Sequence, residues 1–561
     1  MIDQITFKFG SSISEPRLQV DLTPVTIFVG PNNSGKSRCL VELESYCRQT
    51  HGQENDCIIN RLAFTPFSQD EIEAEVLKLE QLPNTGELVN LGHVLIGKLN
   101  PQNNQAFRTQ VHKENLIKEA QDPNNRLGYY ATFLGLYTLR LDGTNRLGLL
   151  GEQDAGDLQA TPKNHLSQLF IDNEIREEVR KIVFEAFSKY FVIDPTHMGK
   201  LRVRLSERPP KSEIEEKGWG AESIAFHKLA VDIKDLSDGV KAFTGIITTI
   251  LAGDPKIIIL DEPEAFLHPA LAAKLGNAIS RSLRNTKKRL LVSTHSSSFL
   301  MGCIQAGIPL NIIRLTYDQA IPTARLLDRE KILHLMRQPL LRSTGVLSGL
   351  FYGSVVVTES DADRAFYQEI NERLLAQGDP RGIGSCLFLN AQNKQTVWDI
   401  VKPLRELGIP AIGVVDIDVI KDAGQVWTKP LEGAFIPALS HNSLHIQRQA
   451  LLAEFQKTTK DMKRDGGVSI LGRSEKEAAL NLFSHLMEYG VFVVNGGELE
   501  SWLKHLGASG HGPSWLIDIF EKMGENPEEQ NYLLPSNGDV WDFIGLIKSW
   551  IENPHRKGIP L

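Results

Sequence analysis

The sequence of 561 residues predicts an α/β protein with two α/β domains in series. Short apolar runs of strand length alternate with segments of helical spacing in two separate stretches, 232–300 and 354–494. The chain is also too long for one hydrophobic core, and 41% hydrophobic with 23% charged residues is ordinary for globular proteins. These observations together predict at least two compact domains.

Composition limits the classes of function. No apolar run approaches the roughly 20 residues of a membrane-spanning helix, and the N-terminus lacks the features of a signal peptide, so we expect a cytoplasmic protein without a membrane partner. Five scattered cysteines without a Cys-x-x-Cys pair argue against a disulfide framework or a zinc site. The net charge of -8 means that any contact with nucleic acid requires a local basic patch. The segment 281–289 is either such a patch or a solvated helix end.

The first domain begins with strands in residues 1–30, the second of them an apolar run at 25–29 that leads into a glycine-rich loop. A helix is predicted from about Gly35. Residues 51–130 and 150–230 have the composition of insertions, with a helix predicted at 68–80, helical spacing over 165–190 and a strand at 201–205. Strands at 256–260 and 289–293, with helices from Gly239 and Pro269, indicate a parallel sheet.

The glycine-rich loop satisfies Gly-x4-Gly-Lys-Ser between a strand and a helix, which predicts a phosphate-binding loop for ATP. Backbone N–H groups and the helix N-terminus would hold the phosphates, Lys36 would reach the β and γ oxygens, and Ser37 would ligate Mg²⁺. The predicted nucleotide-binding residues of this loop are Gly30, Asn32, Asn33, Ser34, Gly35, Lys36 and Ser37.

Further ATPase residues are predicted at the carboxyl ends of the next two strands, where parallel sheets bind ligands. Asp261 would hold Mg²⁺ through water, and Glu262 would polarise the attacking water. His295, in Ser-Thr-His after the following strand, would contact the γ-phosphate.

The segment 236–240, Leu-Ser-Asp-Gly-Val, resembles the signature motif of ABC ATPases, with Asp238 and Val240 in place of the usual glycine and glutamine. The resemblance implies that Ser237 and Gly239 bind the nucleotide of another copy, in a homodimer or a higher even oligomer. Without a long heptad run, the cassette is similar to the compact SMC- and RecF-like ATPases. Three glutamines are equal candidates for the glutamine loop: Gln153, Gln159 and Gln168.

The second α/β stretch carries acidic residues after two apolar strands. Glu359 closes one strand with Asp363 four residues later, and Asp416 and Asp418 lie at the end of another, where strand alternation points both to one face. Four carboxylates brought together require a hard cation such as Mg²⁺ or Mn²⁺. We therefore predict a catalytic metal site for phosphodiester chemistry at these residues.

This Glu…Asp-x-Asp pattern resembles the Toprim domain, with Ser360 in place of the glycine that commonly follows the glutamate. A later Gly-Gly-Glu-Leu-Glu segment resembles the last acidic motif of Toprim nucleases, and Glu500 is favoured over Glu498 as metal ligand and catalytic residue. Lys394 would neutralise charge in the transition state or is a surface lysine.

An ATPase cassette followed by a Toprim domain resembles the OLD (overcoming lysogenization defect) family of nucleases, including the nuclease subunit of Gabija-type anti-phage defence. The resemblance implies an ATP-regulated, metal-dependent DNA endonuclease, with a helicase-like or other second defence subunit as a possible partner. The corresponding domains are 1–345 (ATPase with insertions), 346–505 (Toprim) and 506–561 (helical extension). Two alternatives stay open: an SMC- or RecF-like DNA clamp or repair ATPase without nuclease activity, and a nucleotide sensor.

Overall fold

The computed structural model describes residues 2–12, 14–48, 55–83, 86–122, 134–143, 145–157, 159, 161–318, 320–338, 341 and 345–560. They divide into two compact units: Met1–Val29 with Asn33–Leu326, and Gly30–Asn32 with Leu327–Leu561. The insertion 51–130 and the connector near residue 340 therefore lie partly outside the described residues. Among the described residues, no helix has the length and apolar character to cross a membrane.

A six-stranded sheet forms the centre of the first unit, and five of its strands are joined by parallel pairs. The strand Val25–Val29 is buried throughout because parallel sheets are covered on both faces. The strand order is Ile321–Leu327, Leu310–Asp318, Val25–Val29, Arg289–Ser293, Ile257–Asp261 and Thr138–Leu141.

Three smaller sheets complete the first unit. One is antiparallel and contains Gln19–Asp21, Ile2–Phe7 and Ile59–Phe64. The second contains Tyr190–His197, Lys200–Ser206 and Val231–Asp232, with Gln153–Asp154 on the middle strand. The third contains Glu80–Gln81, His93–Asn100 and Gln105–His112. The segments predicted as insertions thus contribute sheets of their own.

Each helix predicted in the first unit is present, beside others that the sequence pattern did not predict. The spacing over 165–190 is divided at Asp172, which caps the second of two helices by accepting from the Ile175 N–H at 3.1 Å. The helices are Lys36–Arg48, Gln69–Leu79, Lys113–Gln121, Gly135–Tyr137, His165–Ile171, Asn173–Phe187, Glu213–Lys217, Ala221–Leu229, Asp238–Gly253, Pro269–Ser282 and Ser297–Gln305, with 3-10 turns at Arg146–Gly148 and Ile233–Asp235.

The second unit has a four-stranded parallel sheet in the order Cys386–Asn390, Ser354–Thr358, Ala411–Asp416 and Val491–Val494. Its helices are Arg329–Arg337, Asp361–Ala376, Lys394–Glu406, Gln425–Gly433, Ala438–Lys457, Arg473–Met487, Pro513–Met523 and Asp539–Glu552. Shorter 3-10 turns occur at Val346–Phe351, Ile417–Lys421, Gly467–Ile470, Leu499–Ser501 and Lys504–Leu506.

The C-terminal residues belong to the core of the second unit. Trp515, Trp541 and Ile544 are buried in one cluster with Val356 and Phe366 of the sheet and its first helix. The buried Arg405 also donates to the Gly558 carbonyl at 3.0 Å. Residues 506–561, expected as a helical extension, therefore pack as an integral layer of this unit.

The predicted α/β fold class is confirmed. The sheet of the first unit has the P-loop ATPase arrangement, in which parallel strands bring the glycine-rich loop and the Asp-Glu strand to one edge. A second parallel sheet follows in the second unit.

Candidate functional site

The first site lies where three neighbouring parallel strands end. Ser293 is in register with Phe28 on one side and with Asp261 on the other. The residues that follow Val29, Asp261 and Ser293 therefore emerge at one edge of the sheet, as sequence reasoning predicted.

Residues 30–35 connect the strand Val25–Val29 to the helix Lys36–Arg48. Gly35 has a φ of 90°, and a Cβ there would lie 2.8 Å from Ile58 Cδ1, so the position requires glycine. Lys36 is buried and donates to Ser34 Oγ at 3.3 Å. Burial lowers the pKa of Lys36 to about 8, although the charges of Glu262 and Asp261 oppose this shift.

Ser37 and Asp261 are joined directly. The Ser37 hydroxyl donates to Asp261 Oδ1 at 3.0 Å, and Ser293 Oγ donates to the same oxygen. A hydroxyl and a carboxylate placed together form an all-oxygen donor set of the kind that Mg²⁺ prefers. The residues present thus fit the ion expected with ATP.

Glu262 and His295 face each other beside this pair. His295 Nε2 lies 3.4 Å from Glu262 Oε1, and Glu262 has a φ of 49°, which is rare for a residue with a side chain. Burial, followed by the charge of Lys36, lowers the pKa of His295, so the neutral ring is favoured. The structure brings together five residues that were predicted at this edge: Lys36, Ser37, Asp261, Glu262 and His295.

The helix Asp238–Gly253 begins at the predicted signature. A Cβ on Gly239 would lie 2.8 Å from the Phe266 carbonyl oxygen, so glycine permits close packing at the helix start. Ser237 occupies the N-cap position without a side-chain capping bond. The Gln153 side chain accepts from the Leu166 N–H at 3.2 Å, so its amide oxygen already has a partner within the fold. None of the hydrogen bonds in the described residues joins Gln153, Gln159 or Gln168 to Asp261 or Glu262.

The second site lies at the carboxyl edge of the sheet in the second unit. Glu359, Asp416 and Asp418 place one carboxylate oxygen each within 4.8 Å of the others. Glu359 Oε1 also accepts from the Asp416 N–H at 2.9 Å. The expected reason for the pairing of Asp416 and Asp418 was wrong: the strand ends at Asp416, and Asp418 reaches the group through the 3-10 turn Ile417–Lys421.

Holding these carboxylates together in the ionised form is energetically unfavourable unless a cation neutralises them. Burial, followed by the charge of Asp416, raises the pKa of Glu359 to about 8, and burial raises that of Asp416 to about 7. Asp418 Oδ1 is buried without a hydrogen-bond partner among the described residues. A buried acceptor in a group of three carboxylates fits a hard divalent cation.

Asp363 lies, as expected, in Asp361–Ala376, the helix that follows Glu359. Its Oδ2 accepts from the Ser360 N–H at 2.9 Å and from Ser360 Oγ at 2.8 Å, forming a capping box. Burial raises the pKa of Asp363, and the charge of Glu500 acts in the same direction. Asp363 therefore lies near the carboxylates while one of its oxygens secures the helix start.

A second acidic group adjoins the first. Glu498, Glu500 and His511 also have possible ligand atoms within 4.8 Å of one another, and His511 Nδ1 lies 2.7 Å from Glu500 Oε1. Lys463 joins the two groups, since its Nζ lies 2.8 Å from Asp416 Oδ2 and 3.7 Å from Glu498 Oε2. The structure thus places both glutamates in the site, whereas sequence reasoning chose Glu500 and missed Lys463 and His511.

Lys394 is a half-buried member of the same site. Its Nζ lies 3.3 Å from Asp418 Oδ2 and 3.1 Å from Asp422 Oδ1. Burial opposes its charge, but Asp418 and Asp422 raise the pKa of Lys394 overall. Of the two readings of Lys394, the geometry favours a lysine held at the carboxylate group over a free surface lysine.

Comparisons with known proteins address the first unit. Residues 209–301 match the family model described as "AAA domain, putative AbiEii toxin, Type IV TA system". The matched residues include the helix that begins at Asp238, the strand that ends at Asp261, and His295. Together with the phosphate-loop geometry, this match identifies the ATPase part of the chain. The chain contains an ATP-binding P-loop ATPase fold.

Solved structures similar to the chain include SMC head domains. A head bound to the C-winged helix domain of ScpA is 12% identical, with 59% of this chain and 99% of that chain covered and a TM-score of 0.33. The head from Thermotoga maritima is 13% identical, with 58% and 99% covered and a TM-score of 0.29. A head with an extended coiled coil, bound to the C-terminal domain of ScpA from Pyrococcus furiosus, is 11% identical, with 60% and 99% covered and a TM-score of 0.30. No curated protein matches.

Two residues of the ATPase edge were missed by sequence reasoning. Arg146 is buried, and its guanidinium donates to the backbone carbonyls of Asp261 and Glu262 and to that of Asp142 at 2.8 Å. Glu264 accepts from Thr294 Oγ1 and from the His295 N–H, each at 2.8 Å. Arg146 could have been found from its position, because it follows the strand Thr138–Leu141, which pairs with the strand that ends at Asp261.

Proposed function

We propose that the chain is an ATP-regulated, divalent-metal-dependent DNA endonuclease of the OLD kind, acting in anti-phage defence, with the second unit as its Toprim nuclease domain. The observation that carries the proposal is the convergence of Glu359, Asp416 and Asp418 at the carboxyl edge of a parallel sheet. The buried, unpartnered Asp418 Oδ1 adds a donor that a cation would use. The ATPase domain on the same chain supplies the second half of the OLD resemblance.

The proposed ligands are Glu359, Asp416 and Asp418 for one ion, with Asp363, Glu498 and Glu500 available beside them. A bound Mg²⁺ or Mn²⁺ would polarise a phosphodiester and orient it for hydrolysis. Lys463 holds Asp416 and Glu498 in place, and Lys394 holds Asp418. Both lysines bring positive charge to the place where a phosphate would develop negative charge.

In the ATPase, we propose that Lys36 binds the β and γ phosphates, Ser37 and Asp261 hold Mg²⁺, and Glu262 orients the attacking water. His295 beside Glu262 would contact the γ-phosphate. Gly30, Asn32, Asn33, Ser34 and Gly35 would present backbone N–H groups to the phosphates. Ser237 and Gly239 at the start of their helix would bind the nucleotide of a second copy, so that ATP controls assembly and cleavage.

One observation favours a second candidate, a DNA clamp without nuclease activity. The Ser360 capping box occupies Asp363 Oδ2, and this reduces what Asp363 can offer to a metal. The carboxylate group around Glu359 does not depend on Asp363, so the nuclease remains the better supported function.

The test is incubation of purified protein with supercoiled plasmid in Mg²⁺ or Mn²⁺, with and without ATP. We expect nicked or linear DNA from the wild type and from Asp399→Asn, an acidic residue that pairs with Lys429 outside the carboxylate group. Asp416→Asn should abolish the product. Intact plasmid in every lane would support the clamp, and cleavage by Asp416→Asn at the wild-type rate would remove this residue from the mechanism.

A further inference from the structure

A chain with a net charge of -8 needs a local basic surface to hold DNA. In the segment 281–289, three of the five cations are paired with acidic residues of the first unit. Lys287 pairs with Glu71, Lys288 pairs with Asp254, and Arg289 Nη2 lies 3.5 Å from Asp3 Oδ1. With two of the five cations, Arg281 and Arg284, left without an ion pair in the described residues, a solvated helix end is favoured over a DNA-binding patch.

A second basic segment runs from Lys457 to Lys476 in the second unit. It holds six basic and three acidic side chains, a net charge of +3 in an acidic chain. Most of it is the connection between the helices Ala438–Lys457 and Arg473–Met487. Four of its cations are exposed and have no ion pair with any residue that the structure describes: Lys460, Arg464, Arg473 and Lys476.

Two of the three acidic side chains of the segment accept hydrogen bonds from its own backbone. Asp461 Oδ1 accepts from the N–H groups of Lys463 at 2.7 Å and Arg464 at 3.2 Å. Asp465 Oδ2 accepts from the Asp461 N–H at 2.6 Å. The two carboxylates thus stabilise the turn, and neither Lys460 nor Arg464 forms an ion pair with a residue that the structure describes.

The same turn is fixed against the carboxylate site. A Cβ on Gly497 would lie 2.0 Å from the Lys463 carbonyl oxygen, and the Val468 N–H donates to the Asn495 carbonyl at 2.9 Å. Lys463 itself contacts Asp416 and Glu498. Burial, followed by the charge of Glu500, raises the pKa of Glu498, and the charge of Arg464 is close enough to oppose this rise. Arg464, the first exposed cation after Lys463, is therefore the direct neighbour of a lysine that contacts the proposed metal ligands Asp416 and Glu498.

We propose that Lys460, Arg464, Arg473 and Lys476 bind the phosphate backbone of the DNA strand that enters the carboxylate site. The inference rests on the proposed nuclease function and assigns it a DNA-binding surface. Phosphate contacts carry no sequence information, so binding along this surface should not depend on the DNA sequence. The backbone N–H of Lys463 lowers the pKa of Asp461, and the charge of Lys421 acts in the same direction. Lys421 thus extends the positive surface from a second element.

The test compares the full-length wild type with the double variant Lys460→Glu/Arg464→Glu. The probe is a fluorescent 30-base-pair duplex in Ca²⁺, and its affinity is measured by anisotropy over a series of salt concentrations. We expect at least a tenfold loss of affinity and a salt slope smaller by about 2, since each phosphate contact contributes about 0.9. Lys118→Glu/Lys402→Glu is the matched control, because both lysines are exposed and lie outside the segment.

The possible outcomes distinguish failure of the proposed DNA-binding surface from failure of the proposed nuclease activity. If wild type cleaves plasmid and the segment variant binds with unchanged affinity and slope, the surface is refuted and the proposed function stands. If wild type binds through the segment but cleaves nothing in Mn²⁺ or Mg²⁺, the surface stands and the nuclease is refuted. An equal loss in the control variant would show a general charge effect and overturn the surface. DNA-free ATP hydrolysis and the melting temperature should match the wild type in both variants, which would confirm that they fold.

Discussion

Arg146 is expected to position the catalytic backbone of the ATPase. Its guanidinium binds the carbonyls of both Asp261 and Glu262, and Glu262 adopts a φ of 49° that the surroundings must maintain. Lysine keeps the charge at this position but cannot bridge two carbonyls with a planar group. Arg146→Lys should therefore displace Glu262 while leaving the phosphate loop in place.

The magnitude follows from the contacts. Loss of at least one charge-assisted hydrogen bond to a buried carbonyl should lower the free energy of unfolding by about 2 kcal/mol. A displacement of Glu262 near 1 Å should lower kcat for ATP hydrolysis about 100-fold. The affinity for ATP should change less than about threefold, because Lys36 and Ser37 do not contact Arg146 in the described structure.

The assay is steady-state ATP hydrolysis beside nucleotide binding by calorimetry and urea unfolding. Arg140→Lys is the control, since Arg140 lies on the preceding strand and pairs with Glu44 at 3.1 Å without contacting the catalytic carbonyls. Wild-type kcat in Arg146→Lys would refute the positioning role. An equal fall of kcat in Arg140→Lys would show that any loss of strand stability produces the effect.

Three further predictions concern His165, Arg405 and Gly35. Burial lowers the pKa of His165 to about 4, so the unfolded chain binds a proton near pH 6.5 and the folded one does not. Stability should fall by about 1.4 kcal/mol per unit as pH drops from 6.5 towards 4, and His165→Leu should flatten this slope in urea titrations. Arg405→Met should lower the free energy of unfolding by roughly 3 to 5 kcal/mol, because the buried carbonyls of Ala411 and Ala434 lose their donor. An unchanged midpoint of urea unfolding would contradict this. Gly35→Ala should weaken ATP binding at least about tenfold by calorimetry, because its Cβ meets Ile58 in a backbone of positive φ.

The sequence predicted those parts of the sites that local motifs encode. The strand Val25–Val29, Lys36 and the pair Asp261 and Glu262 lie where the pattern placed them, because a parallel strand and the loop after it are specified by neighbouring residues. Asp416 and Asp418 were correctly paired for an incorrect reason, since a turn rather than strand alternation brings them together.

Residues that distant loops bring to the sites escaped prediction. Arg146, Lys463 and His511 belong to no local motif, and their roles depend on tertiary packing that periodicity does not encode. The C-terminal helices were likewise expected as an appendage, although Trp515 and Trp541 complete the core of the second unit. Their apolar spacing predicted helices but not the partner surface.

The most direct test of the central claim is a count of Mn²⁺ bound by the nucleotide-free chain, measured by the loss of the free-ion signal in electron paramagnetic resonance. We predict that the wild type and Asp399→Asn bind Mn²⁺ alike, and that Asp418→Asn weakens binding roughly 10- to 100-fold because it removes a charged ligand with a buried oxygen. Equal binding by all three proteins, or none by the wild type, would contradict a metal site at Glu359, Asp416 and Asp418.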